Sequence, residues 1–284
     1  MAVLGWLPLS VSRAMGAGIA RIGWWFSPRP VKVTCRNIDL CYPHLSAAER
    51  RHLAHASVVE SGRLSFEINT VWQRDIPWLM SRIVAVHGES LVTGPASGGR
   101  GVMLLSPHIG NWEVMGIHCS SLGPMGILYQ PPKQAYLEPL MRRARARMGA
   151  TQLTTDVRGV AGLFKTLRKG EMIGILPDQV PEDAGGEFAD FFGQPALTMT
   201  LVHKLVQKTG CQVVMCYALR RPGGFEVYYQ APPEDIYSSN EATSLRGLNR
   251  AVEDVVAACP EQYQWEYKRF RKVPPGAERH YRFK

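Results

Sequence analysis

His108 and Glu113 are the residues of this chain whose types and spacing best suit chemistry. They lie in Gly101-Val-Met-Leu-Leu-Ser-Pro-His-Ile-Gly-Asn-Trp-Glu113, where an apolar run over residues 102 to 105 stops at Pro107. A histidine general base needs a neighbour that fixes its tautomer and stabilises the imidazolium formed when it takes a proton, and a carboxylate does both. On a regular helix an i, i+5 pair would point about 140° apart. The two can meet only if Gly110-Asn111 folds His108 back over the start of a helix, which glycine permits. Positioned proton transfer contributes roughly a hundred- to ten-thousandfold in rate, so orientation and charge stabilisation must supply the remainder. A histidine near a carboxylate is more often structural, and spacing alone does not separate the two readings. No Gly-x-Ser-x-Gly elbow supplies a nucleophile, and the pattern differs from His-Glu-x-x-His. What remains is a base acting on a hydroxyl, either of a bound substrate or of water.

The elements around this pair must hold it at the edge of a sheet. The run 102–105 reads as a buried parallel strand and Trp112 as the start of a helix to Leu122, which puts His108 at a strand's carboxyl end, where open α/β sheets bind ligands. Strands follow at 125–129, 151–154 and 172–176, alternating with helices at Gln134–Met148 and Val160–Arg168. This alternation predicts an α/β fold with a mostly parallel central sheet and flanking helices. A second strand-end motif, Leu176-Pro-Asp178-Gln179, leads through Gly185-Gly186 to the aromatic stretch Phe188–Gly193, which reads either as a lid over an apolar ligand or as a buried hairpin tip. A helix is expected over 197–209, strands over 212–219 and 225–230 about the turn Pro222-Gly223-Gly224, and a last helix over 242–258. Upstream, the capping box Ser46/Glu49 starts a helix at Ala47 that runs through Glu67 into Trp72, with Glu60 and Glu67 read as surface carboxylates. Residues 27–44, with Pro28, Pro30 and Pro43, read as a connector.

The 284 residues, 45% of them hydrophobic, can bury a large core. The net charge of +9 points to an acidic partner, whether nucleic acid, anionic membrane, phosphorylated substrate or acidic carrier, without choosing among them. Six cysteines without a Cys-x-x-Cys pair read as reduced thiols in a cytosolic environment, not as a zinc cage. Residues 1–26 are apolar apart from a few serines, Arg13 and Arg21, and carry Trp6, Trp24 and Trp25. They fall short of the ~18 uncharged residues of a transmembrane helix and do not resemble a cleaved signal peptide. On a helix the two arginines sit about 80° apart and share one edge. The segment therefore reads as a membrane anchor or interfacial helix ahead of a domain spanning 27–284, or else as a helix docked on the protein's own core.

Pro107-His-Ile-Gly-Asn-Trp-Glu113 resembles the His-x4-Glu motif of the bacterial late lipid A acyltransferases, which add lauroyl and myristoyl chains to the lipid A precursor. The likeness extends to Asn37-Ile-Asp-Leu-Cys-Tyr-Pro43, Tyr129-Gln-Pro-Pro132, the arginine-rich helix before Gly149, Leu167–Glu171, Leu176–Gln179, Phe191–Ala196 and Pro260–Phe270. It implies a glycerolipid-acyltransferase-like fold, His108 as the base on a 3-hydroxyacyl hydroxyl, and Glu113 as the group that orients and charges it. It also implies an acyl carrier protein as donor, attacked directly in a ternary complex, with neither metal nor cofactor required and no nucleic-acid partner. Asn111, Gln130, Arg142, Arg145, Asp178 and Gln179 are the substrate-binding positions carried over. Arg142, Arg143, Arg145 and Arg147 suit phosphates or an acidic carrier, or form a solvated helix face. The expected location is the cytoplasmic side of the inner membrane. One departure stands out: the family usually has Tyr-Arg-Pro where this chain has Tyr129-Gln130-Pro131, which bears on the acceptor more than on acyl transfer. Relatives with the same core that acylate another membrane lipid or a hydroxyacyl carrier are the alternative, as is a catalytically silent lipid- or carrier-binding homologue.

Overall fold

Every residue of the run Val102–Leu105 is buried, and its side chains alternate between two separate apolar cores. Met103 and Leu105 face one core, Val102 and Leu104 the other, as expected for a strand covered on both sides. The computed structural model describes residues 4–129 and 149–283. Its elements are α1 (Leu9–Trp25), α2 (Arg29–Cys41), α3 (Ala47–Gln73), α4 (Ile76–Met80), β1 (Ile83–His87), α5 (Ser90–Ser97), β2 (Val102–Leu105), α6 (Trp112–Ser121) and β3 (Met125–Tyr129). They continue with β4 (Thr151–Thr154), α7 (Val157–Arg168), β5 (Met172–Ile175), β6 (Gly186–Phe191), β7 (Gln194–Met199), α8 (Leu201–Thr209), β8 (Gln212–Arg221), β9 (Gly224–Gln230) and α9 (Glu241–Ala258).

The seven-stranded sheet has the order β1-β9-β8-β2-β5-β3-β4. Pairings from β8 through β4 are parallel, and the β8–β9 hairpin is antiparallel. This is the mostly parallel α/β sheet with flanking helices that the alternation predicts. β2 lies at its centre, and Leu105 is level with Ile175 of β5 and Met215 of β8. α7, α8 and α9 contribute to the core on one face; α4, α5 and α6 contribute to the other.

Three expectations are corrected. Residues 27–44 are no connector: Pro28 caps α2 and Pro30 lies in its first turn, where the missing N–H costs no hydrogen bond. The stretch 197–209 begins as β7, which pairs with β6 in a separate hairpin, and turns helical only at Leu201. β7 buries Ala196, Leu197 and Thr198 in succession, so it lacks the alternation that would mark a strand in the sequence. Glu60 and Glu67 are no surface carboxylates, being 8% and 0% exposed on α3. The hairpin also decides between the two readings of Phe188–Gly193. Phe191 is buried beside Phe270, so this part of the stretch is core, while Phe188 stays exposed.

The capping box at α3 is complete: the Glu49 N–H donates to Ser46 Oγ and the Ser46 N–H to the Glu49 carboxylate. Against this long helix lies α1, crossing so closely at Gly16 and Gly62 that a Cβ on Gly16 would stand 2.1 Å from the Gly62 carbonyl oxygen. Contact at that range turns one edge of α1 inward. Leu9, Ser12, Gly16 and Ala17 are buried, while Val11, Met15, Ile19 and Ile22 form an exposed apolar stripe, joined by Trp6, Trp25 and Phe26. None of the described helices is long and apolar enough to cross a membrane.

Candidate active site

The parallel pairing of β2 and β5 sets the geometry of the site. Leu105 and Ile175 are partners at the ends of the two strands, and three residues beyond each stand His108 and Asp178. Equal offsets from paired residues bring the two side chains together. The Asp178 carboxylate accepts twice from His108, from the backbone N–H at 2.9 Å and from ring Nδ1 at 2.8 Å. A carboxylate facing Nδ1 requires that nitrogen to carry the proton, which leaves Nε2 as an acceptor. Gln179 answers that assignment, its amide nitrogen lying 3.1 Å from His108 Nε2. The ring is 12% exposed, so a substrate can reach it, whereas Asp178 is enclosed. Burial alone would push the Asp178 carboxyl up. The positive charge available to His108 and the two hydrogen bonds from it outweigh burial and hold the carboxyl below its usual range. Tyr263, buried beside it, is held firmly in the phenol form by burial and by the Asp178 charge.

The turn carrying His108 is gripped from both sides. Gly110 has φ of +60°, and a Cβ there would lie 2.0 Å from the Ala218 carbonyl oxygen, so glycine is required for both reasons. The Gln264 N–H donates to the His108 carbonyl, the Gly110 N–H to Gln262 and the Asn111 N–H to Ala218. The carboxy-terminal motif Pro260–Phe270 is thus the clamp on the turn. The indole of Trp112 packs edge-on at 4.9 Å from the His108 ring.

Glu113 lies in the first turn of α6 and is 4% exposed. The carboxylate that holds His108 Nδ1 is that of Asp178. Glu113 and Ser106 are the polar members of a narrow apolar cleft between α6 and β2, β3 and β5, lined also by Leu104, Met115, Ile127 and Leu176. Its volume is about 80 Å³, well below the roughly 300–1,000 Å³ of a pocket that encloses a drug-sized ligand, so a whole fatty chain would have to part its walls. Asn111 is fully buried and caps α6 by accepting from the Val114 N–H, while its amide donates to Glu67 at 2.7 Å. Both ends of that side chain are engaged within the protein, which gives it a part in shaping the turn. Of the other substrate-binding positions read from sequence, Asp178 and Gln179 sit on His108 itself, and Gln130, Arg142 and Arg145 lie outside the described residues.

Behind the turn runs a buried charge network that sequence reading missed. Glu67 binds Asn111 through Oε1 and the Arg13 guanidinium through Oε2. Arg13 also donates to the carbonyls of Arg221 and Gly224. Arg220 donates to Glu60 at 2.9 Å and to the Gly110 carbonyl at 2.7 Å, and Arg63 pairs with the same Glu60. Five charged side chains from α1, α3 and β8 therefore stand behind the turn, and two of them, Glu67 and Arg220, touch it at the Asn111 amide and the Gly110 carbonyl. The available signal was the spacing of Glu60 and Glu67, seven apart and on one side of a helix.

A histidine whose Nδ1 is held by a buried carboxylate, at the carboxyl end of a central parallel strand and beside an apolar cleft, presents Nε2 as a proton acceptor next to apolar surface. The chain matches the family described as bacterial lipid A biosynthesis acyltransferase over residues 1–272, and it belongs to that family. It is an acyltransferase of lipid A biosynthesis. Among its relatives is the lipid A biosynthesis lauroyltransferase of Escherichia coli K12, 28% identical over 97% of this chain and 90% of that protein. The palmitoleoyltransferase of the same organism is 25% identical over 95% of this chain and 88% of its own. The myristoyltransferase is 23% identical over 87% of this chain and 77% of its own.

Proposed function

We propose that this acyltransferase moves a fatty acyl chain from acyl carrier protein onto a hydroxyl of a 3-hydroxyacylated lipid A precursor, with His108 as general base. The observation that carries this reading is the Nδ1–H···Asp178 hydrogen bond, which leaves Nε2 free to take a proton once Gln179 yields its place. The acceptor hydroxyl gives its proton to Nε2 and its oxygen attacks the thioester carbonyl. The tetrahedral intermediate collapses, the C–S bond breaks, and the departing carrier thiolate takes the proton back from the imidazolium. Asp178 stabilises the imidazolium throughout, and Glu113, five residues along the same turn, adds a second negative charge to its surroundings. The apolar cleft beside Glu113 receives part of the acyl chain.

Residues 1–26 attach the protein to the cytoplasmic face of the inner membrane, and residues 27–284 form the acyltransferase domain. Support comes from the exposed stripe Val11, Met15, Ile19 and Ile22 with Trp6, Trp25 and Phe26, the pattern of a helix lying in the interface. The test is acyl transfer by purified protein, with acyl carrier protein thioester as donor and the lipid A precursor as acceptor, read by mass spectrometry. Product is expected from the native chain and loss by orders of magnitude from His108→Ala. Free fatty acid formed without an acceptor would make the enzyme a thioesterase, and transfer undiminished in His108→Ala would remove the base.

A further inference from the structure

A second and larger cavity, about 780 Å³, opens between α1, α3, α4 and the β8–β9 hairpin. Seven arginines line it: Arg13, Arg21, Arg63, Arg74, Arg82, Arg220 and Arg221. Glu60 is the acid in its wall, and Glu67 and Glu226 stand behind it, paired with Arg13 and Arg221. Among the described residues no carboxylate lies within ion-pair distance of Arg21 or Arg82. Arg82 rests on the Trp78 ring at 5.1 Å, and Arg74 contacts the same indole at 4.8 Å. Arg74 is also held by the Trp6 carbonyl, to which it donates, so Arg82 is the guanidinium of this pair that can turn its donors to an anion in the cavity. The forked donors of arginine suit phosphate oxygens in particular, and the volume is that of a headgroup, not of a lone ion.

The surroundings say which phosphate. Ser10, Ala14 and Arg21 of α1 line the cavity from its exposed side, and at roughly 100° per residue the exposed stripe Val11, Met15, Ile19 and Ile22 begins about 60–80° further round the helix from Ala14 and Arg21. A lipid whose chains lie along that stripe presents its headgroup at the cavity mouth. The inner wall holds Arg220, which donates to the Gly110 carbonyl, and Gln262, whose carbonyl accepts from the Gly110 N–H. The cavity therefore reaches the back of the turn that carries His108.

We propose that this arginine-lined cavity binds the phosphate-bearing sugar headgroup of the lipid acceptor, with Arg21 and Arg82 as its selective contacts. This deepens the acyl-transfer reading and rests on it for the identity of the acceptor. It also gives phosphate recognition a place other than the arginine-rich stretch 142–147.

The test is equilibrium binding of full-length protein in detergent micelles to a glycolipid carrying a phosphate monoester and to the same lipid after phosphatase treatment. A soluble sugar phosphate and inorganic phosphate serve as competitors. Arg21→Ala, Arg82→Ala and the double variant are compared with the native chain, each also in a His108→Ala background so that no turnover intervenes. Native protein is expected to prefer the phosphorylated lipid by about tenfold or more, the ratio expected of one charge-assisted hydrogen bond. The double variant should lose most of that preference and bind the dephosphorylated lipid as before. Equal binding of both lipids by native protein, or undiminished preference in the double variant, overturns the proposal. Soluble sugar phosphate binding as tightly as the lipid overturns its lipid part. Because binding is read without turnover, a preference that maps to Arg21 and Arg82 in a protein unable to acylate the precursor would sink the acyl-transfer reading and leave the cavity assignment standing.

Discussion

Replacing Asp178 by asparagine is the most searching single test of the His108 geometry, because the change keeps shape and removes one acceptor. The carboxylate accepts from two His108 groups at once, the backbone N–H at 2.9 Å and Nδ1 at 2.8 Å. An asparagine offers only one oxygen to those two donors. If the oxygen stays on the backbone N–H, the amide NH2 faces Nδ1 and drives the ring proton to Nε2, the nitrogen that must be empty to act as base. If the amide turns over, the ring keeps its tautomer, but the backbone N–H meets another donor and the turn loses its anchor. Both arrangements also remove the negative charge opposite the imidazolium. A hydrogen bond to a charged group is worth roughly 1.5–3 kcal/mol, and a wrong tautomer in a comparable histidine–carboxylate pair costs about 10⁴-fold in kcat. Asp178→Asn is therefore expected to lower kcat by about 10³- to 10⁴-fold with intact near-ultraviolet circular dichroism. Acyl transfer within threefold of native would refute the assignment of Asp178 as the group that sets the tautomer. The same substitution alters the acid side of the stability curve. The folded carboxyl is held below its ordinary value, so its contribution is complete above the unfolded pKa of roughly 3.9 and fades as pH falls through the folded value. Thermal melts of native protein from pH 6 to pH 2 should show that loss, and Asp178→Asn should lack this component.

Three further outcomes follow from the turn and its supports. Glu67→Gln removes the buried carboxylate that pairs with Arg13 and faces the buried Arg220, and breaking a buried pair typically costs about 3–5 kcal/mol, so chemical denaturation should show a clearly lower midpoint; an unchanged midpoint would mean that the network carries no net stability. Gly110→Ala meets both a left-handed φ and the Ala218 carbonyl, and φ alone costs about 1–2 kcal/mol; activity should fall further than stability, as measured by kcat beside the melting temperature, because the clash displaces the peptide two residues from the base. Ile19→Glu with Ile22→Glu places charges on the outer stripe of α1, away from the Glu67 pair, and should abolish sedimentation with anionic vesicles while leaving the fold intact by circular dichroism. Undisturbed co-sedimentation would show that another surface holds the membrane.

The sequence by itself determined a good deal of this protein. The apolar run 102–105, the break at Pro107 and the helix start at Trp112 are local properties, written in side-chain polarity and in the freedom of Gly110, so β2, the turn and α6 were all legible. The alternation from 102 to 176 likewise fixed a parallel sheet, since each crossover must return over its face. Composition left the partner of His108 open. Spacing pointed to Glu113 because it is near in sequence, whereas the hydrogen bond is made by Asp178, seventy residues on, through the level pairing of Leu105 with Ile175. Glu60 and Glu67 were misread for the same reason. A helix with charges on several sides carries no mark of which face another helix will cover, and burial at α3 arises only once α1 and β8 deliver Arg13 and Arg220 to meet them. Residues 27–44 were misjudged because prolines permitted at a helix start also look like loop punctuation until the preceding backbone is seen. Local chemistry fixes where a chain extends, coils and turns. Which charges may be buried is decided only by tertiary contact, because an ion leaves water only where a partner from elsewhere in the chain is already in place.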